Sequence, residues 1–246
     1  MWKPIKQLSS PKRFYEWSMR WHTGLGWVMI FFLASGIIWG LVFAPEDYQQ
    51  SDAFRLIYVH VPCAVWSMAV YLGMGFLAVL LLVWRIKLTG LLLLMSAQIG
   101  AWLAFLALVT GSLWGKPMWG TWWVWDARLT SELILLFLYI GILAVGHAYQ
   151  NVERADRMAA ILCLVGLVDL PIIHYSVYWW STLHQKGTLF LLSKPHIHPS
   201  MLYPLLMILI GVGLYCVWLI LYRARSEILW RDYQQAWVKE ILMRKL

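Results

Sequence analysis

The sequence predicts an all-α integral membrane protein with six transmembrane helices, and three observations carry that expectation. Of 246 residues, 61% are hydrophobic and only 13% charged, against about 25% charged in a soluble domain. Mean hydropathy is +0.65. The uncharged runs 24–44, 56–84 and 88–115 each reach the roughly 20 apolar residues that cross a bilayer.

Taken in order, the spans fall at about 24–44, 57–84, 90–113, 129–149, 158–178 and 200–222. The first three are the uncharged runs. The fourth follows Asp126, a carboxylate placed where a helix N-cap would fall. Pro62 suits the first turn of the second span. The fifth holds one acid, Asp169, about 17 Å in from Met158 at the helical rise. The sixth ends before the basic tail 223–246, where Leu229, Tyr233, Trp237 and Ile241 recur every four residues. That pattern suits a helix lying on the membrane surface, and a partly ordered basic tail is the plainer alternative. With no repeat of 20–50 residues, the whole of 1–246 reads as a single membrane domain.

Of the 20 Lys and Arg residues, fifteen lie in the N-terminal segment, the tail, and the short turns after spans two and four. The positive-inside rule then places both termini in the cytoplasm. The outer face receives the loops 45–56, 114–128 and 179–199, which are longer and rich in Trp, Tyr and His.

Several function classes are disfavoured. A net charge of +8 is normal for a membrane protein with a basic inner face, and no Lys/Arg run interleaves with aromatics as a nucleic-acid groove would. Cys63, Cys163 and Cys216 show no C-x-x-C spacing, so neither a zinc site nor covalent haem attachment is indicated. "GSLWGK" at 111–116 has the wrong glycine spacing for a phosphate loop. No removable signal peptide is expected at the N-terminus.

The segment "WGKPMWGTWWVWDARLTSE", residues 114–132, holds Trp114, Trp119, Trp122, Trp123 and Trp125. An aromatic belt needs one or two indoles per span. Five in twelve residues suggest either an unusually dense belt or a platform for something flat and apolar. Gly115, Pro117 and Gly120 argue against simple continuation of the third helix. Arg128 at the platform's edge could grip a carboxylate bidentately, neutralise Asp126 or anchor at the interface; Arg55 in the first outer loop is a second candidate grip.

His60, at the outer end of the second span, and His184, in the third outer loop, flank the tryptophan segment from either side. Two imidazoles on one face are what a six-coordinate haem iron needs as axial ligands. His196 and His198 are outer as well and are competing metal candidates or loop decoration. His174 is expected to pack within the fifth span. Asp169 suggests helix–helix or subunit hydrogen bonding, with a functional acid as the alternative.

The tryptophan segment, together with "APEDYQQ", "IYVHVPCAVWSM" and "LPIIHYSVYWWSTLHQ", resembles the WWD-domain family of haem-handling membrane proteins in cytochrome c biogenesis. The match to its six-span branch, the cytochrome c maturation C (CcmC) proteins, runs over nearly the whole chain. The resemblance implies a bacterial inner-membrane protein that binds haem b on the periplasmic face. It implies delivery of that haem to the chaperone CcmE, which is joined to it covalently, beside the ABC-transporter subunits CcmA and CcmB and the small protein CcmD. His60 and His184 match the iron ligands, and Trp114, Trp119, Trp122, Trp123, Trp125 and Asp126 match the segment against the porphyrin. Arg55 and Arg128 are read as propionate contacts from charge and place. Lyase-like activity would come from positioning. The rival readings are a b-type electron-transfer subunit and a substrate permease using Asp169.

Overall fold

The computed structural model describes residues 10–184 and 197–243. Six helical stretches are long and apolar enough to cross a membrane: Pro11–Phe43, Asp52–Trp84, Lys87–Trp119, Ala127–Ala148, Val152–Trp179 and Pro199–Arg231. In a bilayer every backbone N–H and C=O must find a partner within the protein, and helices achieve that locally. The all-helical architecture is as expected; several boundaries move.

The first span starts at Pro11, not near residue 24. Helix α1 (Pro11–Ile38) begins with proline in its first turn, where the missing N–H costs nothing. Lys12, Arg13 and Arg20 lie on its exposed face, while Phe14, Tyr15 and Ser18 are buried at helical spacing. The Arg225 guanidinium donates to the Ser18 carbonyl at 3.2 Å, and the Tyr15 ring lies 6.0 Å from that of Trp237. A π-helical turn, Trp39–Phe43, ends the span.

A 3-10 turn (Asp52–Leu56) winds directly into α2 (Ile57–Trp84). Pro62 therefore lies inside a continuous helix, not in a first turn. Helix α3 spans Lys87–Trp119, six residues beyond the expected end, so Gly115 and Pro117 do not stop it. Gly120 does: its φ of +75° is the left-handed cap for which glycine has no steric cost. Helix α4 (Ala127–Ala148) follows.

The fifth span is two helices, α5 (Val152–Gly166) and α6 (Asp169–Trp179), separated at residues 167–168. Helix α7 (Pro199–Arg231) carries the sixth span nine residues past its expected end, and a short α8 (Ala236–Met243) completes the tail. Val238 of α8 is fully buried and Trp237 packs on the core, so the tail docks against the bundle. Helices α2, α3, α4 and α5 form a four-helix group, and α1 and α7 pair closely beside it. The core includes Tyr71, Met74, Leu93, Leu135 and Tyr139 of this group and Ile173 of α6, all fully buried.

At the end opposite His60, charges are paired. Lys87 bonds Glu153. Arg231 reaches Asp156 at 2.7 Å and Glu227 at 2.8 Å. Asp156 is buried, so removing it leaves the largely buried Arg231 guanidinium with Glu227 as its remaining carboxylate partner, a loss that costs about 2 kcal/mol. Asp156→Ala is expected to lower thermal stability in detergent by that amount, and Glu153→Ala, at an exposed pair, to leave it nearly unchanged. Melting curves of the two variants check the contrast.

Candidate functional site

His60 stands in the first turn of α2, facing α3. Its Nδ1 lies 2.9 Å from the Ala107 carbonyl oxygen. A carbonyl only accepts, so the ring proton belongs on Nδ1 and the Nε2 lone pair is left for a ligand. Gly111, one turn along α3 from Ala107, makes the approach possible: a Cβ there would lie 2.9 Å from His60 Cε1.

Beside His60 opens a cavity of about 220 Å³, lined by Trp114, Trp119, Trp123, Arg128 and His184 among others. The His60 and His184 rings are 6.2 Å apart between centres, with planes at 39°. Trp114 meets His60 edge-on at 5.8 Å, and Trp119 lies 6.2 Å from His184. A metal–imidazole nitrogen bond is about 2 Å long, so two imidazoles gripping one metal from opposite sides have centres roughly 6 Å apart. The pair fits that spacing, and the flat apolar walls fit a macrocycle. Pockets that enclose a drug-sized molecule measure roughly 300–1,000 Å³, so a porphyrin seated here would stand partly outside the cavity.

The five tryptophans divide. Trp114 and Trp119 come from the last turns of α3, and Trp123 from the loop beyond Gly120. Trp114 Nε1 donates to Gln50 Oε1 at 2.9 Å, which ties the wall to the first loop. Trp123 Nε1 is buried without a partner among the described residues. Trp122 and Trp125 are 55% and 74% exposed and do not line the cavity.

Asp126 is the N-cap of α4: its Oδ1 accepts from the Leu129 backbone N–H at 2.8 Å. It shapes the loop and does not line the cavity. Arg128 does, and its Nη1 donates to the Ile173 carbonyl at 2.6 Å. Arg55 is not brought to the cavity. Its guanidinium bonds Asp52 at 2.8 Å and the carbonyls of Gly40 and Ala44 at 2.8 and 3.1 Å. The π-turn leaves these carbonyls in need of donors, and Arg55 supplies them.

Residues outside the sequence expectation also line the cavity. His174, expected to pack within its span, is on the wall with Tyr178, and Met68 and Glu132 form its inner part. A lone carboxyl one helical turn beyond Arg128 was the signal for Glu132. His198 caps α7, its Nδ1 2.7 Å from Ser200 Oγ, away from the cavity lining; His196 lies outside the described residues. Asp169 is buried, with Oδ2 unpartnered among the described residues.

A family model described as "Heme exporter protein C" matches residues 4–239. The "Heme exporter protein C" of Escherichia coli (strain K12) is 49% identical over 248 residues, spanning 100% of this chain and 99% of the relative. That of Haemophilus influenzae is 48% identical over 241 residues, 98% of each. A mitochondrial protein of Marchantia polymorpha, named as ccmC-like in cytochrome c biosynthesis, is 44% identical over 178 residues, 72% of this chain and 75% of the relative.

The capping geometry supplies a local test. Asp126→Ala removes the acceptor at the start of α4 and is expected to cost about 1 kcal/mol, whereas Asp126→Asn keeps a competent cap and costs a few tenths at most. Thermal unfolding of the two variants in detergent distinguishes capping from a purely electrostatic role.

Proposed function

The chain belongs to the Heme exporter protein C family, a family of haem export and cytochrome c maturation, and from that premise we propose that it holds haem b on the periplasmic face and hands it to the chaperone CcmE. The observation that carries this reading is the facing pair His60 and His184, 6.2 Å apart at the mouth of an indole-walled cavity. In this reading both termini are cytoplasmic, the membrane is the bacterial inner membrane, and CcmA, CcmB and CcmD are the working partners. The lysine and arginine distribution supports that orientation.

The haem is cargo, and the chemistry it brings is a vinyl edge for the chaperone's histidine to join. The residues of this chain do the holding. His60, its Nδ1 fixed by Ala107, presents Nε2 to the iron from one side, and His184 presents its ring from the other. Trp114, Trp119 and Trp123 flank the ring plane and keep water from it. Arg128, at the cavity edge, offers donors to a propionate. Trp122 and Trp125, exposed beside the mouth, suit contact with the ring's protruding part or with the chaperone. Asp126 acts indirectly by fixing the loop. Arg55 stays with this reading only as a brace of the first loop. Holding two reactants in attack geometry lowers a barrier by several kcal/mol without any acid or base.

The two histidines sit at one end of the bundle and not at matched depths along spans, which weighs against a b-type electron-transfer subunit.

Replacing either ligand provides the test. In the purified complex, His60→Ala or His184→Ala is expected to abolish the two-histidine haem spectrum and the loading of CcmE. Survival of both in either variant overturns the assignment. Gly111→Ala, which pushes a methyl against His60 without removing a ligand, is expected to weaken haem capture about tenfold, equivalent to about 1.4 kcal/mol of ring displacement; titration with ferric haem measures it.

A further inference from the structure

Glu132 is the one carboxyl among the described residues lining the cavity, and it is 6% exposed. It stands one helical turn from Arg128 on α4 and contacts α2 through Ser67. That serine lies seven residues along α2 from His60, about 10 Å at the helical rise, so Glu132 is at the floor of the site and not among the iron-facing groups.

The proton count at Ser67 is informative. Its Oγ lies 2.8 Å from the Ala64 carbonyl oxygen and 3.0 Å from Glu132 Oε1. A hydroxyl carries one proton. With Glu132 ionised, that one proton is shared between two acceptors, the Ala64 carbonyl and the carboxylate. Both contacts are filled at once when the carboxyl carries a proton of its own and donates it to Ser67 Oγ. An anion at this depth would also bear a large desolvation cost.

The groups around Glu132 do not offset that cost with a bonded cation. On α4 itself are Arg128, committed to the Ile173 carbonyl, and Tyr139, which donates to the Ser67 carbonyl at 2.6 Å. Cys63 and Tyr71 face this region from α2, Cys163 from α5, and Asp169 from α6. Asp169 is a second buried acid and adds to the repulsion. Helix α3 carries charge only at its ends, Lys87 and Lys116.

We propose that Glu132 is a proton-binding site at the floor of the cargo cavity, neutral and donating to Ser67 when the cavity is ready to receive an anionic porphyrin, and that its ionisation expels that cargo. This deepens the haem-holding reading and rests on it for the identity of the cargo. The step is a proton transfer alone: Glu132 releases its proton to solvent at the cavity mouth, Ser67 turns its hydroxyl from Ala64 to the new carboxylate, and no electron moves. The new negative charge then shares the cavity with the propionates and removes Arg128 from them by attraction. By linkage, an anionic cargo favours the protonated acid, and the protonated acid favours the cargo. Haem affinity therefore falls as pH rises through the ionisation of Glu132, by up to about tenfold per pH unit for a single proton.

Two measurements on the full-length chain in lipid nanodiscs test this. The first uses no haem. The infrared carbonyl band of a protonated carboxyl is expected at neutral pH, lost in Glu132→Gln and shifted in Ser67→Ala; Asp169→Asn leaves the Glu132 share in place. A spectrum unchanged by Glu132→Gln overturns the proposal. The second is the dissociation constant of ferric haem against pH. The wild type is expected to weaken with rising pH, while Glu132→Gln, a permanently neutral mimic, holds a flat profile at the tight-binding level. A parallel slope in both proteins overturns the coupling. Failure of haem to bind the wild type at any pH, with the Glu132 band present, sinks the haem-holding reading and leaves the proton site standing.

Discussion

The bond between the His60 ring and the Ala107 carbonyl is the contact on which the rest of the site depends. It sets the tautomer, and with it the nitrogen that faces the cavity. It exists only because α2 and α3 pack closely where Gly111 offers no side chain. The same pairing of helices carries Trp114 and Trp119 to the cavity, since both stand on the last turns of α3. A displacement of α3 along α2 would thus disturb the His60 ring and two walls together. The site is built mainly on helices, which hold geometry more closely than loops do.

Helix α3 also explains why a cavity that mixes indoles with charge is stable inside a bilayer protein. Three of the polar groups at its edge are tied to the backbone or to another side chain, while Trp123 Nε1 and Asp126 Oδ2 have no partner among the described residues. Arg128 donates to Ile173, Trp114 to Gln50, and Asp126 accepts from Leu129. Leaving such groups unpaired at membrane depth would cost several kcal/mol each. Polarity is thereby concentrated at one end of the bundle, around the two histidines, while the opposite end is closed by the Arg231–Asp156–Glu227 cluster.

The six spans were legible in the sequence because a bilayer demands about 20 apolar residues and the chain supplies them in uncharged runs. Their ends were not, because hydropathy marks where the membrane stops and not where the helix does. Lys12 and Arg13 read as loop, yet they decorate a helix whose other face buries Phe14, Tyr15 and Ser18. Pro117 read as a break, yet α3 continues through it to Gly120. At the site, His60, His184 and three of five indoles were readable as residues meeting from separate loops. Which three depended on the turn at Gly120, a backbone angle with no counterpart in composition. Arg55 and Arg128 looked equivalent as outer cations; the π-turn at Trp39–Phe43 claims one of them. Glu132 was overlooked, and His174 was read as packing within its span, because one polar residue in an apolar run does not reveal which way it points.

The claim on Arg55 has a mechanical side. Its three bonds join the last turn of the first span, at Gly40 and Ala44, to the 3-10 turn that winds without interruption into α2. The connection is long in residues, but a planar five-donor group clamps it shut, and lysine's single ammonium could not bridge the same three acceptors. The paired helices α1 and α7 are therefore not free to swing from the four-helix group at the His60 end. At the opposite face Arg231 of α7 bonds Asp156 of α5, so the α1–α7 pair is tied to the four-helix group at both ends of the bundle.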